Sequence, residues 1–345
     1  MNPDQHPAAN PSALVRAALV GLPQPDRDAS GIVAERAANI LRPTGALASL
    51  DALAVFLAGW QRTNTPQVSR PSAIIFAADH GVAADGVSAY PPHLTAEMVK
   101  VFKSGKGSVN ALARLAGSTV EVVDVGVGQP TGNLRNESAL DSTRFETAFN
   151  AGREAVRTSV RDANSDLLIV GEMGIGNTTA AAAVAAATFG GVAADWVGPG
   201  TGVADAALAT KTQVIDEALA RIASVSDPID RFCEVGGAEL VAMAGAVIEA
   251  RHQSIPVLLD GFVVGAAIAP LFAIDPDVLA HCWAGHVSAE PGHRRLLAAV
   301  GLVPLLDLGM RLGEASGAMA ALPLLRAACA VVNEVPTFGE WFAES

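Results

Sequence analysis

The chain has 345 residues, 50% of them hydrophobic and only 17% charged, with 23 basic against 35 acidic side chains and a formal net charge of -12. That length and apolar content can bury a large core, so one big domain with a smaller appendage is expected. The acidic balance and the lack of a basic run exclude nucleic acid and anionic membrane surfaces as partners, and no stretch is uniformly apolar over the length of a membrane span.

Residues 1–12 are polar and proline-containing, without the regions of a signal peptide, and read as a frayed tail on a cytoplasmic protein. Helical periodicity follows over Ser12 to Leu22 and Asp26 to Leu41. A third helix is expected over Ala46 to Thr63, before the proline-bearing link Pro66 to Pro71. From Ser72 the pattern changes to short apolar runs, each ending in glycine or a polar loop and followed by a helix. The runs are Ala73 to Ala77, Val120 to Val125, Leu167 to Val170, Ile255 to Leu259 and the more polar Leu279 to Trp283. This alternation predicts a parallel sheet with helices on both faces, whose ligands bind beyond the carboxyl ends of the strands. The polar, glycine-rich segments all fall there.

The first such segment, Ala77 to Pro91, is long and chemically mixed. Asp79 and His80 there are either acid–base groups or side chains that order their own loop. Tyr90, the one tyrosine, either lines an aromatic pocket or packs at the surface.

After the third run stands Gly171-Glu172-Met173-Gly174-Ile175-Gly176-Asn177-Thr178-Thr179, leading into the alanine-rich stretch Ala180 to Ala187. Glycines let a ligand approach the backbone closely, and the first amides of a helix favour an anion. The spacing is neither a Walker A loop nor a dinucleotide fingerprint. Two readings stand: a phosphate cradle, or a strand-to-helix turn capped by Asn177 or Thr178. A second glycine loop, Gly198-Pro199-Gly200-Thr201-Gly202, precedes a helix expected over Ala204 to Ile222. Its Lys211 either reaches back to a bound anion or lies solvated.

Further on, Arg311-Leu312-Gly313-Glu314-Ala315-Ser316-Gly317 sets one glutamate between glycines, as a base or as a loop-ordering group. Cys233, Cys282 and Cys329 are odd in number and far apart, so buried free thiols are expected rather than a disulfide framework. His281, His286 and His293 have no helical ligand spacing, and no metal site is expected.

Five of these segments occur in the order of a known family: Ala78-Asp79-His80-Gly81 with Gly86-Val87-Ser88-Ala89; Gly171 to Thr179; Leu259-Asp260-Gly261-Phe262; Ser288-Ala289-Glu290-Pro291-Gly292-His293; and Leu312 to Gly317. Across about residues 30 to 335 the chain resembles the nicotinate-nucleotide:dimethylbenzimidazole phosphoribosyltransferases of cobalamin lower-ligand assembly. The resemblance implies an α/β fold, with a doubly wound, Rossmann-like parallel sheet over 68–330. A small helical domain over 1–67, completed by about 331–345, and a homodimer are also implied. The implied reaction moves 5-phosphoribose from nicotinate mononucleotide to 5,6-dimethylbenzimidazole, giving α-ribazole 5′-phosphate and nicotinate with inversion at the anomeric carbon.

Carried over residue by residue, Gly174, Ile175, Gly176, Asn177, Thr178 and Thr179, with Gly200, Thr201 and Gly202, hold the donor phosphate, and Lys211 supplies charge. Glu172, Asp260 and Ser288 contact ribose or the nicotinate ring. Ser88, Tyr90 and Leu312 form the acceptor-base pocket, and Glu314 is the base. The chemistry fits these residue types. The donor's pyridinium leaves as a neutral ring, no cofactor or metal is implied, and the chain has no paired-aspartate motif for magnesium. Two rivals remain: the same chemistry on another acceptor base, and a different class altogether, a non-catalytic nucleotide-binding protein or a nicotinamide-cofactor oxidoreductase. The missing G-x-G-x-x-G stands against the oxidoreductase.

Overall fold

The computed structural model describes residues 9–198 and 205–343, so the expected phosphate contacts Gly200, Thr201 and Gly202 lie outside the described residues. Among the described residues six strands form one all-parallel sheet: β1 (Pro71–Ala78), β2 (Thr119–Gly126), β3 (Leu167–Met173), β4 (Val257–Leu259), β5 (Cys282–His286) and β6 (Pro304–Leu306). Their order is β2-β1-β3-β4-β5-β6. Four of the apolar runs become strands close to their expected bounds. The fifth starts later, because Pro276–Leu279 forms a 3₁₀ turn whose amide at Asp277 donates to the Asp275 side chain. β6 has no counterpart among the expected runs. It is a three-residue edge strand opening on proline, which lacks the ladder amide, so it carries little sequence signal.

Period-two alternation divides each central strand between two cores. Ile74, Phe76, Ala78, Leu168 and Val170 pack with the helices Ser142–Ala163, Asn177–Phe189, Ala238–His252 and Phe262–Ile274. Ala73, Ile75, Leu167 and Ile169 face the other way, against Arg27–Asn39, Ala48–Gln61, Ser108–Ala116 and Ser316–Glu334. The last of these helices is long and apolar enough to cross a membrane, at 19 residues and a mean hydropathy of 1.3. In the sequence Pro323 and Arg326 interrupt its apolar run; in the fold its Met319, Leu322 and Leu325 are buried in the second core. An antiparallel bridge between Ile40 and Thr337, with Arg36 donating to the carbonyls of Val332 and Val335, joins the first helices to the last.

The chain steps outward from β1 to β2 and then returns past β1 to β3. That reversal opens a crevice at the carboxyl ends of β1 and β3, the place where doubly wound sheets bind ligands.

Candidate active site

A cavity of about 550 Å³ occupies this end of the sheet, within the size range of small-molecule sites. Ser88, Tyr90, Glu172, Gly174, Ile175, Gly176, Asn177, Thr178, Ser288, Leu312 and Glu314 all line it. Three of the expected residues stand behind the wall instead: Thr179, Lys211 and Asp260 are buried and do not line the cavity.

One end of the cavity is the start of the helix Asn177–Phe189. Gly176 is its N-cap and no side chain caps it, so neither Asn177 nor Thr178 plays the capping role left open in the sequence. The Asn177 amide instead donates to Glu172 Oε2, and Thr178 Oγ1 accepts a 2.8 Å bond from Lys211 Nζ. Lys211, from the helix Asp205–Arg221, also donates to the Gly198 carbonyl at 3.2 Å. Burial pulls its ammonium down to about 8, with the charge of Glu290 acting in the opposite sense. A helix start without a side-chain cap, backed by a buried cation, is an arrangement that favours negative charge.

At the other end Glu314 is 6% exposed, and its Oε2 has no hydrogen-bond partner among the described residues. It sits in a run of three left-handed residues: Gly313 at φ 82°, Glu314 at 61° and Ala315 at 63°. Two non-glycine residues held in that region are strained, and such strain collects at functional sites. Ala315 is fully buried and opens the helix Ser316–Glu334, so packing holds the turn in place. Burial, and after it the charge of Asp260, pushes the Glu314 carboxyl up to about 7. Burial likewise pushes Glu172 up to about 8, reinforced by Asp260, Glu239 and Glu314 and opposed by the bond from Asn177.

The long first loop is ordered by its own side chains. Asp79 Oδ2 accepts the Gly128 amide at 2.7 Å, and His80 Nε2 lies 2.6 Å from Glu239 Oε1 with both side chains fully buried. Neither lines the cavity. Tyr90 and Leu312 stand at the mouth, 46% and 45% exposed, and Ser88 Oγ accepts the Tyr90 amide. Ser288 donates its backbone N–H to His293 Nδ1 at 2.8 Å, and burial depresses the His293 imidazole to about 3. Among the described residues no three histidine, cysteine, aspartate or glutamate side chains gather as a metal site.

Several lining residues escape a reading of the sequence. Phe262, Glu290 and Arg311 belong to the quoted segments, so their neighbours mark them. His286, at the end of β5, enters the sequence reading only as a metal ligand considered and set aside. Leu94 and Met98 sit on the helix Leu94–Lys103, whose amphipathic pattern carries no motif at all.

Comparison with known proteins identifies the family. A phosphoribosyltransferase family model matches residues 22–341. The chain is similar to the nicotinate-nucleotide–dimethylbenzimidazole phosphoribosyltransferase of Roseobacter denitrificans, at 48% identity over 94% of this chain and 95% of the relative. A Brucella anthropi protein of the same name is 43% identical over 94% of both chains. Its fold is similar to two crystal structures from Thermus thermophilus. The first is a nicotinate-nucleotide–dimethylbenzimidazole phosphoribosyltransferase, with a TM-score of 0.86 and 39% identity over 92% of this chain and 98% of that one. The second is CobT, with a TM-score of 0.87 and 41% identity over 91% and 98%. The chain belongs to the family of nicotinate-nucleotide–dimethylbenzimidazole phosphoribosyltransferases.

Proposed function

We propose that this enzyme transfers the 5-phosphoribosyl group of nicotinate mononucleotide to 5,6-dimethylbenzimidazole, releasing nicotinate and α-ribazole 5′-phosphate for cobalamin assembly. The observation that carries the mechanism is Glu314, a strained, buried carboxylate at the cavity with a pKa raised to about 7. One benzimidazole nitrogen attacks C1′ as the bond from C1′ to the pyridinium nitrogen breaks, and that electron pair neutralises the departing ring. The acceptor ring is then cationic until its other nitrogen gives up its proton, which Glu314 takes. A base with a pKa near the working pH does this well, and its removal typically costs about 10²- to 10⁴-fold in rate.

Position at the cavity supports the remaining roles. Gly174 to Thr178 and Lys211, its charge relayed through Thr178, receive the donor phosphate. Glu172, protonated below about pH 8, serves as a neutral hydrogen-bond donor to the sugar or ring. Ser288 contacts the same part of the donor, and Ser88, Tyr90 and Leu312 hold the acceptor. The test mixes the purified protein with both substrates and follows nicotinate and the new nucleotide by chromatography. Equal amounts of both products are expected, with most turnover lost in Glu314→Gln while mononucleotide binding survives. Full activity in that variant removes Glu314 from the mechanism.

The open mouth favours a second reading, in which other flat bases also serve as acceptors. Tyr90 and Leu312 are half-exposed there, and apolar walls discriminate weakly between similar rings. Competition between dimethylbenzimidazole, adenine and a phenol separates the two. A homodimer belongs to the same proposal, supported by the exposed apolar side chains Phe338, Trp341 and Phe342; sedimentation velocity tests it. The division into a small helical part (1–67 with about 331–345) and a large part (68–330) is likewise our reading, supported by the Ile40–Thr337 bridge. Three unpaired cysteines suit the reducing cytoplasm we assign.

A further inference from the structure

Behind Gly174 lies a buried polar pair. His80 Nε2 stands 2.6 Å from Glu239 Oε1, both side chains are sealed from solvent, and neither lines the cavity. The pair ties the loop after β1 to the first turn of the helix Ala238–His252. It is only partly satisfied, because His80 Nδ1 and Glu239 Oε2 have no hydrogen-bond partner among the described residues. Burying such a pair costs desolvation that apolar side chains of the same volume avoid, so packing alone does not account for it.

What the pair supports is Gly174. A β-carbon on that glycine would stand 2.7 Å from the Ala78 carbonyl oxygen and 3.3 Å from both Glu239 Oε1 and His80 Cδ2. Gly237 closes on the same two side chains: its β-carbon would stand 2.4 Å from His80 Cε1 and 2.9 Å from Glu239 Oε2. Gly237 has an extended φ of -153° and Gly174 has no positive φ, so both positions need glycine for room rather than for conformation. The imidazole and the carboxylate thus pack against two glycines, one of which lines the cavity. Gly174 passes the constraint on. Its carbonyl accepts the Asn177 backbone N–H at 3.1 Å, closing the turn into the helix Asn177–Phe189, whose uncapped start is the proposed phosphate site.

We infer that His80 and Glu239 are positioning residues for the donor phosphate, holding the loop that receives it through their contact with Gly174. This rests on the phosphate site proposed above. Neither side chain lines the cavity, so the pair acts on where the loop stands and not on the chemistry at C1′. Its loss is therefore felt in the part of donor affinity that the phosphate supplies.

The experiment measures, by calorimetry without acceptor, the Kd of nicotinate mononucleotide and of nicotinate riboside, the same donor without its phosphate. The ratio of the two isolates the phosphate contribution, and a general loss of stability leaves it unchanged. In Glu239→Ala we expect mononucleotide binding to weaken about 10-fold with riboside binding unchanged. Glu239→Gln keeps the shape of the side chain and a hydrogen-bonding group for His80, and its ratio is expected to return close to that of wild type. A wild-type ratio in folded Glu239→Ala overturns the inference, and so does equal weakening of both ligands. Should that variant not fold, ¹⁵N-histidine spectra of wild type decide. The His80 ring resonances move on adding the mononucleotide or inorganic phosphate but not the riboside, and a ring that does not respond to phosphate overturns the assignment. A wild type that binds both ligands equally overturns the phosphate site and this role with it, whereas a wild-type preference for the mononucleotide that survives in Glu239→Ala removes only the pair.

Discussion

Gly313 and Glu172 interlock: a β-carbon on the glycine would stand 2.2 Å from Glu172 Oε1. The carboxylate at the end of β3 therefore lies directly against the turn that carries Glu314. Because Gly313 also adopts φ 82°, Gly313→Ala meets both a left-handed strain of about 1–2 kcal/mol and a collision inside the site. Gly309→Ala is the control, since Gly309 has φ 65° but nothing within 4 Å. Urea unfolding is expected to give the larger loss for Gly313→Ala, and only that variant is expected to lose about 10²-fold or more in kcat. Equal effects would mean that the turn tolerates displacement of Glu172.

Glu314 must be ionised to take a proton, so its raised pKa places an acid limb on the rate. For the free enzyme, kcat/KM is expected to rise with pH toward about 7 and to fall again above about 8, where Glu172 loses the proton it donates and Lys211 its charge. A bound donor whose pyridinium ring lies at the reacting centre favours the carboxylate and moves the acid limb in kcat to lower pH. In Glu314→Gln this limb disappears along with most of the rate. A profile from pH 5 to 9 on both proteins checks this, and an acid limb that persists in the variant would assign it elsewhere.

The apolar wall contributed by Leu94 and Met98 argues for acceptor binding in places the motifs do not mark. Met98 is half-buried at the cavity whereas Tyr90 is 46% exposed, so Met98→Ala removes more enclosed apolar surface than the loss of the Tyr90 hydroxyl. We expect Met98→Ala to raise the KM for dimethylbenzimidazole about 10-fold, the scale of a methylene or two, and to leave the donor KM unchanged. Tyr90→Phe should change neither by more than about 2-fold.

Much of this site is legible because its chemistry sits in loops. Glu172, Gly174 to Thr178 and Glu314 are marked by glycines flanking polar side chains at strand ends, and the fold brings them to one cavity. The strands are legible for a related reason, since buried parallel strands read as apolar runs. β6 is not, because three residues opening on proline carry no period. Leu94 and Met98 stay hidden because an apolar side chain turned toward a ligand looks like one turned toward a core. Asp260 and Lys211 illustrate the opposite limit. The sequence identifies polar residues near a ligand but carries no depth, and in the fold both stand behind the wall, reaching the cavity through His286 and Thr178 respectively.

Lys211 offers a test in which stability and binding move in opposite directions. Burial lowers its pKa from 10.5 to about 8, so the folded state disfavours the charged form. The resulting penalty on folding is absent above pH 10.5, grows as pH falls toward 8, and is fully present at neutral pH. Lys211→Met keeps most of the length of the side chain and removes the charge, so at pH 7 its Tm should equal or exceed that of wild type, a gain that vanishes near pH 10. A donor phosphate has the opposite interest. It favours the ammonium and raises its pKa on binding, so mononucleotide affinity is strongest below about pH 8 and weakens as pH rises through that value. Loss of the charge behind Thr178 in Lys211→Met is expected to weaken the Kd about 10-fold at pH 7 and to flatten its pH dependence. Calorimetry at pH 7 and 9 measures both effects on the same samples. A variant that binds the mononucleotide like wild type would show that the helix start holds the phosphate without this lysine.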